Sequence, residues 1–179
     1  LNFDPGEKYS YSNSGYLLLA EIIETVSGQS LGDFARTRIF EPLGMSRSQF
    51  YDDFTRIVKN RALSYSRDES GEYVSVQYIF DVIGDTGLLT TVEDLFLWDR
   101  NFYANTLGSG GQELIERMLT RGRLNNGEKL DYAFGLELED YRGLPVVKHS
   151  GSAAGYRSQI LRFPDQRFTV VLLSNLAEF

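Results

Sequence analysis

Two short stretches carry the side chains that could do chemistry: Tyr9-Ser10-Tyr11-Ser12-Asn13-Ser14-Gly15-Tyr16 near the start, and His149-Ser150-Gly151 far downstream. Between them they supply a phenol, a carboxamide, an imidazole and a glycine-opened strand, most of the equipment for acyl transfer. What they lack is a nucleophile. Each stretch also has a plain structural reading. The Asn of a Tyr-x-Asn can cap backbone groups in a turn, and a single histidine at a strand end is often a packing residue. A glycine inside a strand, as at Gly151, indicates that something approaches the backbone closely.

The elements that must hold these groups follow from local pattern. Asp4-Pro5-Gly6 is turn chemistry. From about Ser14 to Ser27 the chain is apolar nearly all round, with a narrow polar stripe at Glu21, Glu24 and Thr25. This predicts a helix buried on most sides, capped by Ser12 or Ser14 at its start and Gly28 at its end. A second helix is expected from Ser30, with Asp33 as a capping-box-like partner, ending at Pro42-Leu43-Gly44-Met45. Residues 46–82 show no sustained period and read as long connections, with short strands near Tyr73 to Tyr78. Thr91 caps a helix expected from Val92 to Tyr103, and another runs from about Gln112 to Arg121. After Asn125-Asn126-Gly127 the period becomes strand-like: Phe134 to Glu139 alternates, and Tyr156–Phe163 and Phe168–Ser174 form a hairpin around residues 164–167. The expectation is an α+β protein. A mainly helical region, residues 1–125, carries the Tyr-x-Asn loop, and a strand meander, residues 126–179, carries His-Ser-Gly; together they make one partial domain.

Composition narrows the functions. With 25 acidic and 18 basic residues and a net charge of −7, the surface repels polyanions, so nucleic acid is not an expected partner. No cysteine is present, which excludes thiol catalysis and disulfides. A single histidine argues against zinc, and no metal or other cofactor is expected. No apolar run approaches the roughly 20 residues that cross a bilayer. The N-terminus does not read as a signal peptide but like the middle of a chain.

At this point the sequence resembles the serine β-lactamase and penicillin-binding protein superfamily, in the branch of class C β-lactamases, DD-peptidases and related esterases. The landmarks are Pro5-Gly6 with Tyr9-Ser10-Tyr11-Ser12-Asn13, then Ile39-Phe40-Glu41-Pro42-Leu43-Gly44-Met45, Gly87-Leu88-Leu89-Thr90-Thr91 with Asp94-Leu95, and His149-Ser150-Gly151 with Gly155-Tyr156. The resemblance implies a β-lactamase/transpeptidase-like fold, a serine hydrolase, and a β-lactam, ester or D-amino-acid peptide as substrate, small or peptidoglycan-like. It implies that Tyr11 is the general base and that Asn13 orients the substrate amide. His149 takes the place of the usual strand lysine, holding Tyr11's proton or a substrate carboxylate, and Ser150 offers that carboxylate a hydroxyl. Gly151 keeps the strand open, and the N–H of Ser152 is one oxyanion donor.

One departure is decisive. The superfamily's Ser-x-x-Lys, which carries nucleophile and activating lysine, is absent: the residues three before Lys8, Lys59, Lys129 and Lys148 are Pro5, Arg56, Asn126 and Pro145. The expectation is that this motif lies upstream, that the fold is incomplete at both ends, and that the chain alone is inactive or a non-catalytic ligand-binding pseudoenzyme. An ordinary phenol has a pKa near 10, so about one in a thousand is ionised at pH 7, and Tyr11 needs a neighbouring cation. His149 and Lys148 are the candidates. Uncovered apolar surface further predicts a homo-oligomer.

Overall fold

The structure, a computed structural model, describes residues 2–178. Its first long element, α1 (Asn13–Ser27), begins where Ser12 accepts a hydrogen bond from the Gly15 N–H at 3.3 Å and ends at Gly28 in the left-handed conformation. Both caps follow the sequence pattern. The burial does not: Ala20 is the helix's one buried residue, while Leu18 is 65% and Val26 81% exposed. The exposure has a simple cause. Among the described residues α1 leans on α2 and on the loops at Gly84 and Gly135, and nothing covers the rest of its apolar circumference.

Ser30 caps α2 (Leu31–Ala35), accepting from the Asp33 N–H at 3.1 Å as the capping pattern predicts. The helix then widens into a π-type turn over Arg36–Phe40 before α3 (Glu41–Leu43) and Gly44 close it. This bulge turns Phe40 inward, where Ala35, Phe40 and Met45 form a buried cluster flanked by Ile39, Leu43, Phe50, Leu97 and Trp98. The long irregular stretch contains β1 (Gln49–Phe50), β2 (Tyr65–Arg67) and β3 (Tyr73–Ser75). β1 pairs with β4 (Leu88–Leu89), and β2 with β3.

Thr91 caps α4 (Val92–Asn101), which stops two residues short of the expected Tyr103, and α5 (Gly111–Met118) follows. Asp94 in the first turn of α4 is buried, because its carboxylate accepts from the Arg47 N–H and the Ser48 hydroxyl, both at 2.8 Å. The same carboxylate thus tethers the loop that follows α3.

The C-terminal third is an antiparallel meander, as expected: β5 (Glu137–Tyr141), β6 (Leu144–Ala153), β7 (Tyr156–Phe163) and β8 (Phe168–Ser174) lie in sequence order. α4 packs against it through a buried ion pair. Arg162 on β7, 3% exposed, donates through Nε to Asp99 at 2.6 Å, and Thr169 on β8 donates to the same oxygen at 2.9 Å. The Arg162 guanidinium also lies 3.5 Å over the Phe102 ring. Since Val147 pairs with Arg162 and His149 with Ile160, strand alternation puts His149 on the same sheet face as this anchor, one cross-strand pair further along.

Candidate active site

The predicted residues do meet. Tyr11 sits in the loop just before the Ser12 cap, Asn13 is the first residue of α1, and His149 faces them from β6 across a small cleft. The Tyr11 and His149 rings are 6.1 Å apart. β5 pairs with β6 only as far as Glu137–Lys148, while β7 continues to Ala153, so residues 149–153 are paired on one side. Their other backbone edge is left unpaired by any described strand, which exposes N–H and C=O groups there. Alternation turns the Ser150 and Ser152 side chains to the sheet face opposite His149. At Gly151 the close neighbour is internal: an added Cβ would collide with the Ser158 hydroxyl on β7.

Tyr16, from the end of the first stretch, lines the cleft as well, as do two side chains that the sequence did not single out, Asp85 and Tyr132. Tyr132 was hidden by a misleading period. The alternation expected for a strand from Phe134 begins as a strand only at Glu137, because residues 131–136 form a tight turn in which the Ala133 N–H bonds Leu136 O at 2.8 Å. Gly135 occupies its left-handed position, and a Cβ there would meet the Tyr16 hydroxyl at 2.8 Å. The turn delivers Tyr132 between Tyr9, at a ring distance of 5.4 Å, and Tyr11, at 6.3 Å. Its hydroxyl lies 3.1 Å from His149 Nε2, while His149 Nδ1 lies 2.7 Å from Ser150 O.

The surroundings keep the phenols beside the cleft neutral. Burial pushes the Tyr132 phenol well above its ordinary range, with Tyr16, Tyr9, Tyr11 and Glu137 adding to the effect. Burial also raises Tyr16, reinforced by Tyr11 and Tyr9, and raises Tyr9, reinforced by Glu137 and Tyr11. All three therefore remain protonated near pH 7 and act as hydrogen-bond donors. Lys148 is not the free cation of the sequence reading. It pairs with Glu139 at 2.8 Å and Glu137 at 3.4 Å on β5, and the Glu139 hydrogen bond raises its pKa.

A tyrosine loop at a helix start thus faces a strand whose free stretch carries an imidazole, and comparison with known proteins gives the chain a family. A family model described as Beta-lactamase matches residues 1–179. The chain belongs to the beta-lactamase family. Members of this family are serine hydrolases of the β-lactamase and penicillin-binding protein superfamily, with the β-lactamase/transpeptidase-like fold. A penicillin-binding protein of Bacillus subtilis is 36% identical over 192 residues, covering 98% of this chain and 42% of the relative. A D-aminopeptidase of Gluconobacter oxydans is 30% identical over 176 residues, covering 98% of this chain and 33% of the relative. The octameric penicillin-binding protein homologue from Pyrococcus abyssi superposes with a TM-score of 0.86 at 33% identity, over 99% of this chain and 41% of that one. The chain thus spans less than half the length of these relatives. No helix among the described residues is long and apolar enough to cross a membrane.

Proposed function

We propose that this chain supplies two walls of a β-lactamase-like hydrolase cleft, which acts by acyl transfer on a β-lactam, ester or D-amino-acid amide or peptide. The observation that carries the reading is the facing of Tyr11 and Asn13 against the unpaired edge of β6 at His149. Tyr11 is the base and Asn13 orients the substrate amide. A ligand laid along the free edge meets the Ser152 N–H as oxyanion donor, the open strand at Gly151, the imidazole of His149 from one sheet face and the Ser150 hydroxyl from the other. The serine nucleophile and its lysine come from outside these 179 residues, since no Ser-x-x-Lys is present in them. That absence, with Lys148 already paired, also supports the second reading of a cleft that binds such ligands without cleaving them.

Covalent labelling by a fluorophosphonate and a penicillin probe, read by intact mass, separates the two. An upstream-extended protein that is labelled, beside a 179-residue chain that is not, supports the hydrolase; Tyr11→Phe in the extended protein then slows acylation by about 10²- to 10⁴-fold. Absence of label from both supports the binding module, and label on the short chain would make Ser12 or Ser150 the nucleophile. The exposed apolar surface of α1 and the octameric relative support self-association, which a monomeric elution profile at micromolar concentration would rule out.

A further inference from the structure

We infer that Tyr132 is a positioning residue for His149, locking the imidazole as its Nδ1–H tautomer so that the neutral ring has no N–H left for a ligand in the cleft. Ser150 O, 2.7 Å from Nδ1, is a carbonyl and can only accept, so Nδ1 carries the hydrogen. In a neutral ring Nε2 is then an acceptor, and the group 3.1 Å from it is the Tyr132 hydroxyl, which therefore donates. Both ring nitrogens are used, one by the backbone of the next residue and one by the turn at residues 131–136.

This has a consequence for ligands, which alone depends on the cleft reading above. A substrate carboxylate finds no donor on the resting imidazole. When the ring takes up a proton, Nε2–H donates to the Tyr132 oxygen and the phenol hydrogen is released to turn toward the ligand. Tyr132, and not the imidazole, is then the direct donor to an anion. The groups that face this pair are Tyr11 from the loop before α1, Tyr9 beside Tyr132, Tyr16 from α1, Asp85 across the cleft and Glu137 from β5.

The chain contains one histidine, so its ring signals need no assignment. In ¹⁵N-labelled protein above the histidine titration, long-range proton–nitrogen correlation is expected to show protonated Nδ1 and a hydrogen-bonded, unprotonated Nε2. Tyr132→Phe keeps the ring packing and should move the Nε2 signal downfield, toward a free imidazole nitrogen. Tyr9→Phe, which keeps the ring contact but has no hydroxyl bond to His149, should leave both nitrogens in place. A resting Nε2–H tautomer in the unsubstituted protein overturns the inference whatever the variants do, and so does an Nε2 signal unmoved by Tyr132→Phe. Failure of the acyl-transfer reading would leave these ring signals as expected, so the two can fail separately.

Discussion

His149 and Tyr11 face each other, yet they stand on foundations of different kinds. His149 lies on β6, hydrogen-bonded along its length to β7, and β7 is pinned to α4 by the buried Arg162–Asp99 pair, with Thr169 on the same carboxylate. Tyr11 precedes the cap of a helix whose large apolar side chains Leu18, Leu19, Ile22 and Val26 face solvent. One wall is held by burial within the chain, the other by a local capping bond and a few loop contacts. A sequence pattern for a buried helix therefore reports the circumference that can be covered, and covering it requires partners from elsewhere.

The strongest way to break this contrast is at the anchor. Asp99→Ala leaves the Arg162 guanidinium buried without its counter-charge, and is expected to cost about 3–5 kcal/mol in urea unfolding. A loss under about 1 kcal/mol would show that the sheet wall does not depend on α4. Ser12→Ala removes the side chain that accepts the Gly15 N–H and should cost about 1 kcal/mol, with hydrogen exchange rising at the start of α1 and unchanged on β6. Equal increases on both walls would mean that they unfold as one unit. The smallest effect is expected on the outer face of α1: Val26→Ser, at a position 81% exposed, should change stability by less than about 0.5 kcal/mol. A loss near that of a core substitution would place Val26 in an interface in solution, and would turn the apparent weakness of this wall into evidence for its partner.

Much of the local structure was legible. Ser12, Ser30 and Thr91 cap the helices that their spacing predicts, and the strands on either side of residues 164–167 pair in the expected hairpin. The Tyr11-Ser12-Asn13 and His149-Ser150-Gly151 stretches were legible as a pair through resemblance, and the fold brings them to one cleft. The π-type turn at Arg36–Phe40 and the turn at residues 131–136 were not. Both depart from a regular period for reasons that lie in packing: Phe40 turns into a cluster with Met45, and Gly135 makes room for Tyr16.

Which groups are available, and the local elements that carry them, follow from the order of residues alone. Caps, alternation and hairpins depend on residues only a few positions apart, and the composition rules out a thiol and leaves one imidazole. Tertiary structure alone decided how those groups are used. It tied Lys148 to Glu137 and Glu139, set Tyr132 against His149, and left α1 largely uncovered. The reason is physical. A side chain's hydrogen-bond partner and its exposure are set by what distant segments bring to within a few ångströms, and no pattern local to Tyr11, Tyr132 or His149 specifies that meeting.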